Sequence, residues 1–339
     1  MSNTSYDWRE ALSYEQVIKR YGEWTAMSIY LGEGQYTLTS PEADYRLRRL
    51  VQIAADVVCK PLNKIRVLDL ACLEGHYGLE FAQHGAEVVG IEIRSQNLAK
   101  AQFAKRSLKL DNFHLYQDDV RNLSKKKYGT FDVVLCSGIL YHLEASDVFQ
   151  FVRNIYEVCD HVVLFDTFIS LSDRKSVEWE GKTYWGLDYV EHAEKTTEDA
   201  RKQDLWASID NPSSFWLTQP SLCNLIAHVG FTSFYETHVP TRPKNGYIDR
   251  KTYIAIKGKP VKLLSSPVTD QTPQMDIPEG PINASSVQKR RSLLFKFVKK
   301  TFPQPLKDVI KPVLRLIRLL EPDGTPQYMR KCLKENKKN

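Results

Sequence analysis

The sequence of 339 residues contains no run approaching the roughly 20 apolar residues that a membrane-spanning helix needs. It opens MSNTSYDWREALSYE, with neither a basic start nor an apolar stretch, so no secretory signal is expected. Cysteine is sparse: six residues, at 59, 72, 136, 159, 223 and 332, without a CxxC pair. That spacing argues against a zinc site and for reduced thiols in a cytoplasmic setting. The eight histidines show no ligand spacing either. A surplus of one charge is missing from most of the chain. Residues 1–260 hold 31 basic and 34 acidic side chains, whereas 261–339 hold 16 basic and 7 acidic, so the net charge of +6 comes from the last quarter. Core formers are not lacking, at 42% hydrophobic and 11% aromatic, which excludes a wholly disordered chain.

What is there falls into four segments. Residues 1–40 are rich in Tyr and Trp and read as an aromatic cap with a turn at Leu31-Gly32-Glu33-Gly34. From Pro41, apolar Leu47, Leu50, Val51, Ala54, Ala55 and Val58 recur at helical spacing. Short β-branched runs then alternate with helical segments. Strands are expected at Ile65–Leu70, Glu87–Ile91, Phe113–Tyr116, Phe131–Cys136, His161–Phe165, Phe231–Thr237 and Thr252–Lys257. Helices are expected at Leu79–Gln83, Ser95–Leu108, Asp147–Val158 and Pro220–Val229. This alternation implies an α/β fold: a Rossmann-like, doubly wound, mostly parallel sheet of about seven strands with helices on both faces. The domain is expected over 41–258. Five prolines with Ser, Thr and Gln mark a linker at 259–288, followed by a basic tail at 289–339.

Four blocks carry the chemistry. In Val67-Leu68-Asp69-Leu70-Ala71-Cys72-Leu73-Glu74-Gly75 a buried strand ends in an acid and turns through small residues into a helix. Small residues there allow a ligand to approach the backbone at the carboxyl end of a strand. Glu92 ends the second strand, 23 residues beyond Asp69, where a carboxylate can accept both hydroxyls of a ribose. Asp118-Asp119-Val120 follows the third strand and suits an adenine amino group. The fourth strand runs into Ser137-Gly138-Ile139-Leu140-Tyr141-His142.

In this order the blocks resemble class I S-adenosylmethionine-dependent methyltransferases over roughly residues 45–258. The resemblance implies S-adenosyl-L-methionine as cofactor. It places Asp69, Ala71, Leu73 and Gly75 at the methionine part, Glu92 at the ribose, and Asp119 and Val120 at the adenine. Ser137, Ile139 and Tyr141 would border the reacting methyl. The usual Gly-x-Gly-x-Gly is reduced here to its last glycine, Gly75: Ala71 fits that turn only if its φ is negative, and Leu73 fits less readily. Glu74 in place of a small residue disfavours a nicotinamide dehydrogenase, whose pyrophosphate must reach the helix N-terminus. Transfer of an activated methyl needs alignment and exclusion of water, with a base only where the acceptor must lose a proton. His142, Tyr141 and Asp166 are the candidates, against capping or hydrogen-bonded roles for the same side chains.

The stretch from about 170 to 218 is long for a connection and holds Trp179, Trp185, Trp206 and Trp216. It reads as an aromatic insertion serving as substrate wall, accessory core or both, with Trp185 and Trp216 as wall residues. Ser137–His142 and Phe215-Trp216-Leu217-Thr218-Gln219-Pro220-Ser221 also look like the bacterial tRNA wobble-uridine carboxymethyltransferase group. That group uses carboxylated S-adenosylmethionine and needs cations to hold the extra carboxylate. Trp24 to Leu38 contains no Lys or Arg, which favours the plain cofactor.

Residues 289–320 carry ten basic groups and one acid, Asp308. Leu306, Val309, Ile310, Val313, Ile317 and Leu320 fall on one helical face, and Lys307, Lys311, Arg315 and Arg318 on another. Such a helical tail suits an anionic membrane surface, with docking on protein, or RNA, as rivals. The sequence therefore leads to methyl transfer to an oxygen or nitrogen of a small-molecule, glycan or lipid-linked acceptor. The enzyme is expected in the cytoplasm, with the tail able to hold it at the inner face of the membrane. A tRNA-modifying enzyme and a non-catalytic S-adenosylmethionine-binding module are the alternatives.

Overall fold

The computed structural model describes residues 7–25, 27–38, 45–237 and 249–260. The basic tail, and the linker beyond residue 260, lie outside the described residues. The N-terminal segment folds into helix α1 (Tyr14–Tyr21) and a small hairpin of β1 (Tyr30–Gly32) and β2 (Gln35–Tyr36). Ser13 starts α1 through a reciprocal cap: its hydroxyl accepts from Gln16 N–H while the Gln16 side chain accepts from Ser13 N–H. Trp24, 2% exposed, stacks on Tyr14 and tilts against Phe103 at 5.8 Å. The aromatic residues of this segment thus pack against the body of the protein.

Helix α2 (Tyr45–Val58) follows, burying Leu47, Leu50, Val51, Ala54 and Val58 along one face. Strand and helix then alternate: β3 (Arg66–Leu70), α3 (His76–Gln83), β4 (Glu87–Glu92), α4 (Ser95–Ser107), β5 (Phe113–Gln117), α5 (Lys125–Tyr128), β6 (Phe131–Ser137), α6 (Ala145–Val158) and β7 (Cys159–Phe168). The expected insertion contains β8 (Lys175–Trp179), β9 (Lys182–Val190), α7 (Glu198–Gln203) and β10 (Ser213–Leu217). Helix α8 (Gln219–Val229) and strands β11 (Ser233–Thr237) and β12 (Arg250–Ile256) complete the described chain. The α8 start is set by Thr218, whose hydroxyl accepts from Ser221 N–H, with Pro220 in the first turn.

The central sheet has seven strands in the order β11-β12-β7-β6-β3-β4-β5. The five strands from β7 to β5 pair in parallel, and β12 is antiparallel to both β7 and β11. Successive residues of the inner strands are buried on opposite faces. Leu68, Val134 and Val163 join one apolar layer with Phe149 and Ile155 of α6 and Leu225 and Ile226 of α8. Val67, Val133 and Val162 join the other with Leu50 and Ala54 of α2 and Phe81 of α3. A sheet covered on both faces needs such continuous apolar strands, and each wholly buried aliphatic side chain contributes about 1.5–3 kcal/mol. Strand order reverses at β3, where the chain crosses from β4 and β5 on one side to β6 on the other. This leaves a crevice at the carboxyl ends of β3 and β6.

The insertion forms its own antiparallel sheet, β10-β9-β8. One face sends Tyr184 and Phe215 toward Phe149 of α6, and the other presents Leu187, Tyr189 and Trp216 to Tyr141 and Phe168. Among the described residues, no helix is long and apolar enough to cross a membrane, and no cluster of three His, Cys, Asp or Glu could hold a metal ion.

Candidate active site

The turn after β3 is built on two carboxylates. Asp69, at 1% exposure, accepts from Gly78 N–H in the first turn of α3 at 2.9 Å. Burial pushes its carboxyl up to about 7. The Gly78 bond works against that shift, and the nearby charge of Glu92 adds to it. Glu92 ends β4, is 2% exposed, and accepts from Leu73 N–H (3.0 Å) and Arg94 N–H (2.8 Å), one bond per oxygen. Burial raises its pKa too, against the opposing Arg94 contacts. A carboxylate oxygen accepts more than one bond, so the acceptor chemistry of Glu92 fits a ribose diol.

The condition of a negative φ at Ala71 is not met: Ala71 has φ +51° and Leu73 φ +49°, both left-handed. Such a conformation costs about 1–2 kcal/mol per non-glycine residue. The Leu73 N–H bond to Glu92 and the Cys72 N–H bond to Ile91 O (3.0 Å) hold the turn against that strain. Gly75 is left-handed as well (φ +84°), and a Cβ there would stand 3.0 Å from Ala101 Cβ. Glu74, read from sequence only as a residue too large for pyrophosphate, is an anchor. Its carboxylate pairs with Lys100 Nζ at 3.0 Å, both side chains 2% exposed, and accepts from Thr25 N–H and Oγ1. The N-terminal segment is thereby fastened to the turn.

Beyond β5, Asp119 caps a short turn through Arg121 N–H (2.8 Å) and pairs with the Arg121 guanidinium, and Val120 is buried beside it. Arg121 also reaches Asp210 of the insertion at 2.6 Å. Arg94, next to the Glu92 carboxylate, donates to the carbonyls of Lys202, Asp204 and Ala207. Two arginines from the turns at the ends of β4 and β5 thus pin the insertion over that edge of the sheet. Neither was expected from sequence, because nothing local marks them.

After β6, Ser137 and Ile139 are half-buried, and Gly138 N–H donates to Asp166 O at 2.9 Å. Tyr141 is 8% exposed, its ring edge-on to Phe168 and Trp216, and burial raises its pKa. His142 stands beside it with ring centroids 4.3 Å apart, and its Nδ1 lies 3.0 Å from both carboxylate oxygens of Glu191.

Asp166 does not suit the part of a base. It is 2% exposed, Arg250 Nε donates to Oδ1 at 2.6 Å, Thr252 Oγ1 donates to Oδ2 at 2.8 Å, and Arg46 stands 3.4 Å away. Burial alone would raise its pKa, but the two guanidiniums outweigh this and hold the carboxyl below its usual range. Arg250 enters because β12 begins two residues earlier than expected and pairs with Phe168 at the end of β7. Trp216 departs from its expectation as a wall: its ring is sandwiched between Phe168 (5.1 Å) and Tyr189 (4.4 Å), and its indole N–H donates to Tyr141 O. With both faces covered it is a packing residue. Trp185 is half-buried and stays available as a wall.

An open sheet of this order, with buried carboxylates ending the first two parallel strands beside the crevice, defines the class I S-adenosylmethionine-dependent methyltransferase fold. Residues 62–165 match the family model of a methyltransferase domain. A Geobacillus sp. (strain WCH70) protein assigned as a methyltransferase is 32% identical over 105 residues, covering 30% of this chain and 41% of its own. The chain therefore spans less than half the length of that relative. The tRNA U34 carboxymethyltransferase of Psychromonas ingrahamii is 23% identical over 276 residues, 76% of this chain and 77% of its own. Among solved structures, the N-terminal domain of EvdMO1, crystallised with SAH and D-fucose, superposes with a TM-score of 0.51 at 21% identity. It covers 67% of this chain and 88% of that one, a likeness of fold.

Proposed function

We propose that this protein transfers a methyl group from S-adenosylmethionine to an oxygen or nitrogen of a small-molecule, glycan or lipid-linked acceptor. The observation that carries the reading is an ordered set of acids around one crevice: buried Asp69 and Glu92 ending adjacent strands, with half-buried Asp119 beyond the third. When bound, the sulfonium donor supplies an already activated methyl. The chain's part is to hold it through Glu92 and Asp119, align the acceptor beside Tyr141 and His142, and keep water out under the pinned insertion. Asp69 shapes the turn through Gly78 rather than meeting solvent. Titration calorimetry with S-adenosylmethionine tests the reading. Binding that is lost in Glu92→Ala supports it, and no binding by the wild type sinks it. A binding module without transfer is separated by incubation with labelled donor: turnover of label excludes the module.

A second reading, the carboxymethyl transfer of the tRNA-modifying group, gains from one observation. Arg46 and Arg250 both approach Asp166 at the tip of β7, and they are cations of the kind absent from Trp24–Leu38. Side-by-side titration of the plain and carboxylated cofactors decides between the two. The domain limits 41–258, the linker and the basic tail remain part of this proposal. Association of the tail with an anionic membrane predicts binding of the full chain to anionic but not neutral vesicles, without displacement by tRNA.

A further inference from the structure

Glu191 sits at the end of β9, 49 residues from His142 in sequence, and its side chain is 1% exposed. Both of its oxygens lie 3.0 Å from His142 Nδ1. Ser214 Oγ donates to one oxygen at 2.6 Å and Ser208 N–H to the other at 3.0 Å. The same insertion holds the backbone of the histidine: Asn211 Nδ2 donates to His142 O at 3.1 Å, and Phe215 N–H donates to Leu143 O at 2.8 Å. A buried carboxylate is costly unless paired and hydrogen-bonded. This one is surrounded by donors and meets one ionisable ring.

We infer that Glu191 is a positioning residue that keeps the His142 proton on Nδ1 and leaves Nε2 as the acceptor nitrogen, and that the methyl acceptor is a hydroxyl. The inference rests on the methyl-transfer reading above. A neutral amine attacks with a lone pair it already has, whereas an alcohol or phenol must shed its proton as the new bond forms. In the step, the acceptor oxygen forms the O–CH3 bond as the S–CH3 bond breaks, and that electron pair returns to sulfur as a neutral thioether. The hydroxyl proton passes to His142 Nε2. The resulting imidazolium is matched by the Glu191 carboxylate and later yields its proton to water. The insertion is thereby part of the proton-handling machinery as well as a cover.

The test uses full-length protein with S-adenosylhomocysteine and nitrogen-15 histidine spectra, the His142 signals being assigned by their loss in His142→Asn. The expected neutral wild-type ring is protonated at Nδ1. Glu191→Ala moves the proton toward Nε2 while S-adenosylhomocysteine affinity stays within about twofold, and Glu191→Gln, whose carboxamide oxygen still accepts from Nδ1–H, restores the wild-type form. An Nε2-protonated wild type, or an unchanged tautomer in Glu191→Ala, overturns the positioning role. Carbon-13 methyl donor incubated with a cell extract reads the acceptor class. Label in methoxy carbons, falling on the order of 100-fold in Glu191→Ala, is expected, and label in methylamines overturns the hydroxyl assignment. Failure of wild-type protein to bind S-adenosylhomocysteine overturns the methyl-transfer reading instead, so the two failures are distinct.

Discussion

Removing the Glu74 carboxylate tests how the N-terminal segment and the turn after β3 hold each other. Lys100 Nζ is buried and has two partners, Glu74 at 3.0 Å and the Glu23 carbonyl. Glu74→Ala leaves an ammonium in the interior with one neutral acceptor, a change that costs about 3–5 kcal/mol. Against a stability on the order of 5–15 kcal/mol for a domain, this is a large fraction. The Thr25 N–H and hydroxyl lose their acceptor at the same time, so the N-terminal segment loosens from the turn. Replacing both partners, as Glu74→Leu with Lys100→Met, removes the charge along with its partner and should recover most of the loss. Urea unfolding of wild type, Glu74→Leu, Lys100→Met and the double variant measures the cycle, with Glu74→Ala alongside. A Glu74→Ala loss under about 1 kcal/mol, or a double variant as unstable as the single, would refute the reasoning.

Four further outcomes are expected. The Asp69 carboxyl ionises near 4 when unfolded but only at about 7 when folded, so the unfolded state releases its proton first and stability falls as pH rises from about 4 to 7. Asp69→Asn abolishes this fall, worth up to about 4 kcal/mol at pH 8, and equal pH slopes in urea unfolding of cofactor-free wild type and variant would contradict it. Gly78→Ala drives a Cβ to 2.6 Å from the Phe113 ring, costing about 1–3 kcal/mol or more and disturbing the Asp69 bond, as thermal unfolding and cofactor titration will show. Asp166→Ala strands Arg250 and costs about 3–5 kcal/mol by urea unfolding, whereas Arg250→Met with Asp166→Leu is far milder. Arg94→Ala frees the carbonyls of residues 202, 204 and 207 and should speed proteolytic cleavage within 195–210, with global unfolding nearly unchanged.

The parallel sheet was legible because its strands are buried on both faces and must read as unbroken apolar runs, and because acids punctuate their ends. Every expected strand and helix of residues 45–258 has a counterpart. The boundaries shift where pairing extends a strand: β7 runs from Cys159 to Phe168, longer than its apolar signal at 161–165, because β12 pairs with its end through Phe168 and β6 with its start at Cys159. The basic tail, also plain in sequence, falls outside the described residues.

The arrangement of charges was less legible. Local pattern marks a residue's type and its neighbours along the chain, and it cannot say which distant group will stand opposite. Asp166 had the position of a base, but Arg250, 84 residues later, holds it as an ion-pair anchor. Trp216 had the composition of a substrate wall, but Tyr189 and Phe168 close on both faces of its ring. Glu191 carries no motif, and only the return of β9 and β10 across the end of β6 brings it to His142. Sequence by itself determined the succession of strands along the chain and the acids at their tips, because burial and strand-end position are short-range properties of a periodic pattern. Tertiary structure decided which of those groups are spoken for and which remain to do chemistry. Pairing across an interior depends on contacts far apart in the chain.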